Sequence, residues 1–279
     1  MITAKIISDS INPFGDRITS FILEYPLFIH SEFLTHRMFS RNAASARAIP
    51  IQVMIDKVEK NPATPIIWPK NNKGMKSVDL ISNPEEARSL WLESARQAVY
   101  YARKMKDLGL HKHVVNRILS PYLYINVLVT ATDYDNFFCL RFNPEASPEM
   151  IRLSHAMILE YRNSQPNYLE LGDWHIPFAD NSLDLETKLK VSVARCARLS
   201  YNNHYGVISI EDDIKLYNNL ISNRHMSPFE HQAVSSESDR FFNLKGWKSY
   251  RYLLNLENVY FDYYESLKKF EKLEYLCAK

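Results

Sequence analysis

The chain carries only six glycines, Gly15, Gly74, Gly109, Gly172, Gly206 and Gly246, and no two stand close together. The G-x-G-x-x-G dinucleotide turn, the Walker phosphate loop and the G-x-S-x-G nucleophile elbow all need closely spaced glycines, where the backbone turns sharply or meets a ligand. All three are excluded. An anion bound by this chain must be gripped by side chains and ordinary backbone amides instead.

Charge narrows the partners. Lys plus Arg is 34 and Asp plus Glu is 32, a net charge of +2. That balance leaves no broad basic footprint, so a nucleic-acid partner is not expected. With 279 residues, 46% of them hydrophobic, the chain can bury one sizeable core. Three cysteines, Cys139, Cys196 and Cys277, are too scattered for a disulfide framework or a CxxC metal site. No leader pattern and no membrane-length apolar run is visible, so the expectation is a reduced cytoplasmic protein with no membrane partner.

Punctuation along the chain sets the elements. Residues 18–24 read as a strand ending at Pro26, and 27–39 as a helix. Residues 60–84, with Pro62, Pro65, Pro69 and Pro84, read as a surface loop. Asn83-Pro84 opens a long helix with the stripe Ala87, Trp91, Ala95, Ala98, Ala102 and Met105, stopping at Gly109. Further helices are expected over 113–129 (kinked near Pro121), 134–140, from Ser147, over 183–200 and from Ser209. Residues 163–182 read as loop and 232–238 as a strand. The last 35 or so residues read as helical. The fold class is α+β: helix-rich, with a small mainly antiparallel sheet in a single domain, 1–279.

Two stretches gather chemistry. Residues 35–47 place Arg37, Arg41, Arg47, His36, Ser40 and Ser45 where an expected helix gives way to small side chains. Arginine forks, hydroxyls and exposed amides make an anion site without glycine. Composition alone gives equal standing to a solvated basic helix end. Residues 223–231 crowd His225, Ser227, Glu230 and His231 around Pro228, which by itself describes a polar turn. Arg117 and Arg141 sit in apolar surroundings and need an anionic or polar partner, either within the chain or on a ligand. Cys139 has no activating context and reads as a small hydrophobe. The pair His111-x-His113 can bind a metal weakly but reads better as flanking a helix start; no metal site is expected.

Together these stretches resemble the flavin-dependent thymidylate synthases. That family's signature is R-H-R followed, after seven residues, by S. Here it reads Thr35-His36-Arg37, then Ser45 and Arg47. Asn136, Phe137, Leu140 and Arg141 match a second segment, and Arg117 lies in a third. The family's H-x-T-P-F-E-H and A-R-x-S are similar to 225–231 and Ala197-Arg198-Leu199-Ser200. In the family they precede the signature. Here they follow it, which implies a circular permutation of phage type, with about 190–279 matching the family's N-terminal part.

The resemblance implies reductive methylation of dUMP at C5, with methylenetetrahydrofolate and NADPH as co-substrates and FAD as cofactor. It implies a homotetramer with sites shared between chains, in the host cytoplasm if phage-encoded. Arg141 becomes the catalytic residue. Glu32, Ser45, Ala46, Arg47, Arg117 and Arg141 become nucleotide ligands, and His36, Arg37, Asn136, Ser200, His225, Ser227 and Glu230 become FAD ligands. Glu32 stands where the family often has Gln. A carboxylate there can accept from a cytosine amino group, which keeps dCMP, or a hydroxymethyl product, open as an alternative. Thr35 and Ala43 also depart from the signature, which leaves an inactive nucleotide-binding homologue as a further alternative.

Overall fold

The computed structural model describes residues 1–73, 79–200 and 209–255. Five strands build the main sheet: Thr3–Ile11 (β1), Arg17–Pro26 (β2), Ser40–Ala43 (β3), Tyr124–Ala131 (β4) and Asn167–Tyr168 (β5). Their order is β3-β4-β2-β1-β5. Only the short β1–β5 pairing is parallel among the described strands, so the sheet is mixed and mainly antiparallel, as expected. β4 is central. It pairs with β2 from Thr19↔Ala131 to Pro26↔Tyr124, and with β3 from Ser40↔Thr130 to Ala43↔Val127.

The helices are His30–Phe33 (α1), Ile51–Lys60 (α2), Pro84–Asp107 (α3), Lys112–Leu119 (α4), Asp135–Arg141 (α5), Pro148–Asn163 (α6), Leu185–Ala197 (α7), Ile210–Ser222 (α8) and Tyr250–Leu253 (α9). A second sheet, β6-β7-β8, comprises Trp174–His175, Ala233–Phe241 and Leu244–Ser249. Apolar residues of α5 and α6, including Phe137, Met150, Leu153 and Met157, cover one face of the main sheet. A separate core joins α2, α3 and α4 through Met54, Ile55, Val58, Ala95, Ala98, Val99, Val115 and Leu119. That core explains the small residues in the α3 stripe: alanine lets three helices approach closely.

Three expectations change. The helix over 27–39 is one 3-10 turn, Leu27–Ile29, plus the short α1. Phe33, Phe39 and Phe137 pack together there, and the chain then leaves for the sheet edge as β3. The helix over 113–129 ends at Leu119; Pro121 sits in a 3-10 turn and β4 follows. Residues 127–131 are buried throughout, and a fully buried strand loses the alternation that would identify it. The expected C-terminal helix instead begins with β8; residues beyond 255 lie outside the described part.

The two sheets dock through polar contacts. His175 meets Ser10 and Ser20 at 2.9 Å each, Ser20 meets Thr130 at 2.6 Å, and Thr130 meets His231 Nδ1 at 2.9 Å. Burial lowers both imidazoles to about 3, with His175 adding to the effect on His231. The rings are therefore neutral, which lets them sit in a hydrogen-bonded chain without a counter-ion. Nearby, Gly246 (φ +74°) lets β8 touch the β1–β2 turn: its carbonyl accepts from Asn12 at 3.1 Å, and Trp247 Nε1 donates to the Asp16 carbonyl at 3.0 Å.

Candidate functional site

The small-residue stretch after β3 forms one wall of a recess. Ala44 N still donates to Asn126 O at 2.9 Å, then the chain turns away, with Ala48 N on Ser45 O at 2.9 Å. Two side chains fasten this turn. Asn116 Nδ2 donates to the carbonyls of Ala46 at 2.7 Å and Ile49 at 3.0 Å, and Lys112 Nζ donates to Ala48 O at 3.0 Å. Both fasteners sit on α4. The turn therefore faces that helix in a fixed register.

Between them lies an open recess of about 730 Å³ lined by Ser45, Arg47, Ala48, His111, His113 and Arg117. His113 and Arg117 are one helical turn apart and share a face. No carboxylate lines it, so an anion entering it meets cation-capable and hydrogen-bonding groups only. A second recess of about 360 Å³ shares Ser45 and adds His30, Ala43, Ala44, Ala46 and Asn126. His30 Nδ1 lies 2.9 Å from the Tyr25 hydroxyl. Burial, then Arg41, lowers its pKa, so this recess carries a neutral imidazole and the Asn126 amide beside the Lys57 ammonium. Ser45, Arg47 and Arg117 thus line one recess, and Ala46 lines the neighbouring one.

Glu32, His36 and Arg141 form a different cluster. Arg141 Nε donates to His36 Nε2 at 2.8 Å, and Nη2 to Thr35 Oγ1 at 3.0 Å. Its Nη1 lies 3.9 Å from Glu32 Oε2, which accepts from Ser147 at 2.9 Å. Burial, then Arg141 and Arg41, pulls His36 down to about 4, so the ring is neutral and free to accept. Thr35 donates to Glu32 O at 2.7 Å while accepting from Arg141. An arginine at 35 would set a second cation beside Arg141. Threonine is the residue this arrangement needs. Glu32 lines neither recess, so the cytosine alternative loses the residue that carried it.

The residues expected to hold FAD do not converge. His36 is committed to Arg141 and stands edge-on to Phe137 at 4.8 Å. Arg37 and Glu230 do share a recess of about 420 Å³, but Glu230 is ion-paired with Arg251. Asn136, His225 and Ser227 are exposed and line none of these three recesses. Ser200 closes a 3-10 turn, its side chain outside the described residues. His111, His113, Asn116 and Asn126 had not been assigned to a site. The spacing of His113 and Arg117 on one helix face was the readable signal.

No protein-family model matches the chain, and no curated protein matches it. Solved structures similar to it include a UMP/dUMP methylase, PolB, from Streptomyces cacaoi bound with 5-bromo-UMP. Identity is 13%, coverage 58% of this chain and 88% of that one, and the TM-score 0.47. The same methylase bound with 5-bromo-dUMP gives 13%, 58%, 90% and 0.48. Membership of the flavin-dependent thymidylate synthases, expected from the motifs, is not borne out: the chain matches no family model, and the structural likeness is to a UMP/dUMP methylase. The FAD assignment and the circular permutation fall with it. Among the described residues, no helix is long and apolar enough to cross a membrane.

Proposed function

We propose that the chain binds a pyrimidine nucleoside 5′-monophosphate and methylates its base at C5. The observation that carries the reading is the pair of recesses meeting at Ser45, one lined by two arginines and two histidines, the other mostly by small and apolar side chains with His30, Lys57 and Asn126. The phosphate lies with Arg47 and Arg117. The base lies toward Ala43, Ala44 and Asn126. A uracil edge offers a carbonyl acceptor beside an N–H donor, and an asparagine amide offers the complement. Small alanines leave room for a flat ring.

Methylenetetrahydrofolate is the one-carbon donor in this proposal: it would supply the methylene carbon and, by oxidation to dihydrofolate, the hydride that makes it a methyl group, while C5 gives up its hydrogen as a proton. Arg141, the catalytic residue that the motifs implied, lines neither recess and is held by His36 and Thr35 beside Glu32, so the reading gives it no contact with the base. Cys196 is buried and its thiol is pushed up by that burial; no cysteine lines either recess.

Calorimetry with dUMP, UMP, dCMP and deoxyuridine tests the binding. The two uridine nucleotides should bind, and Arg47→Ala should weaken them about 10- to 100-fold. Methylation should release tritium from 5-tritiated dUMP. Failure of both nucleotides to bind rejects the reading. A second reading, nucleotide binding without turnover, is favoured by one observation: Arg141 is already satisfied by its own chain. Binding without tritium release would select it.

A further inference from the structure

We infer that His111 and His113 are ligands of the phosphate, completing a site built for a terminal, doubly charged phosphate. The inference rests on the proposed function for the identity of the nucleotide, but not for the presence of the anion. Both rings line the recess with Arg47, Arg117 and Ser45. Their Nδ1 atoms are 2.8 Å apart, so one of the two must carry a proton. The backbone N–H of His113 donates to His111 Nδ1 at 3.3 Å, which puts the lone pair on His111 and the proton on His113. His111 then carries its proton on Nε2, which can donate to an anion, while His113 Nε2 donates to one when a second proton accompanies the anion onto that ring.

The recess therefore offers two guanidiniums and two imidazoles, with no carboxylate on its lining. A phosphate inside a diester carries one charge and two unesterified oxygens. A terminal phosphate carries up to two charges and three such oxygens. The imidazole donors match the extra oxygen, and the second proton on His113 matches the extra charge. Lys112, between the two histidines, ties their helix to Ala48 O at 3.0 Å, so the walls keep their spacing. A metal is the competing occupant of any His-x-His pair. Among the described residues, no group of three or more His, Cys, Asp or Glu side chains gathers to hold one.

The test follows the histidine ring signals of the full chain by NMR during titration with inorganic phosphate, dUMP and deoxyuridine. His111 and His113 should move with inorganic phosphate and dUMP but not with deoxyuridine. Exposed His155, stacked on Phe142, should stay still. In H111Q/H113Q, dUMP affinity should fall about 10- to 100-fold while deoxyuridine binding is unchanged. Signals that move with inorganic phosphate in a protein that ignores dUMP would keep this inference and reject the nucleotide. Signals unmoved by inorganic phosphate would overturn it. So would an unchanged dUMP affinity in the double variant, or shifts that need zinc and vanish with a chelator.

Discussion

His36 should make the protein acid-sensitive, and the size of the effect follows from its surroundings. The side chain is 8% exposed and accepts from Arg141 through Nε2, so that atom must be unprotonated. Burial and the two arginines hold its pKa at about 4, against an unfolded value of about 6.5. Between these values the unfolded chain binds more protons than the folded one, so stability rises with pH through that window. Above about 6.5 the histidine costs nothing. As pH falls toward 4 the loss grows to about 3 kcal/mol, with about 2 kcal/mol already lost at pH 5. Urea unfolding of wild type and His36→Gln at pH 7.5 and pH 5 isolates this contribution. Glutamine can accept from Arg141 but does not titrate. His175 and His231 titrate alike in both proteins and cancel. Wild type should lose about 2 kcal/mol more than the variant on acidification. Equal losses would refute the burial argument for His36.

Three further outcomes are expected. Gly246→Ala should cost about 2–4 kcal/mol in urea unfolding, because its Cβ would fall 2.5 Å from Asp16 Oδ2 at a φ of +74°. Gly109→Ala, with φ +77° and nothing within 4 Å, should cost only about 1 kcal/mol; equal effects would remove the clash from the account. Asn116→Ala should lose about 2 kcal/mol and also weaken dUMP, since it frees the Ala46 and Ile49 carbonyls and the turn carrying Arg47; unaltered nucleotide affinity would show that the turn keeps its place without the clamp. Arg141→Ala should leave dUMP affinity within about threefold, because Arg141 lies outside both recesses; a larger loss would place Arg141 against the nucleotide.

Much of the helical framework was legible because caps are local. Asn83 accepts from Glu86 N, Asp184 from Thr187 N and Ser209 from Asp212 N. Pro62, Pro65 and Pro69 marked a non-helical excursion correctly. The sheet was harder to read. β4 is buried on both faces and so has no period, while β3 is an edge strand of four residues whose partner lies far along the chain. Ser45 and Arg47 were legible from residue type as part of a candidate anion stretch, and Arg117 only as an arginine in need of a partner. His111 and His113 were legible as flanking a helix start, but nothing local shows that α4 packs against the 45–48 turn. Asn116, the residue that makes that packing, was only part of a motif.

The division of residues 35–47 between two clusters has a mechanical cause. Had these residues continued as one helix, residues 36, 40, 44 and 47 would share a face, and His36 and Arg47 would stand on the same side. Instead, Phe33 and Phe39 anchor the chain in the aromatic core, and β3 then runs extended for four residues along β4. Each extended residue advances about 3.3 Å, more than twice the rise of a helix. Thr35 and His36 are thereby left with Arg141, while Ser45 and Arg47 are carried across the sheet edge to α4. A motif defined by sequence spacing holds its chemistry only while the backbone between its residues keeps one conformation. Here β4 supplies an edge for that backbone to pair with, and the pairing sets Arg47 and its phosphate recess apart from the Arg141 cluster.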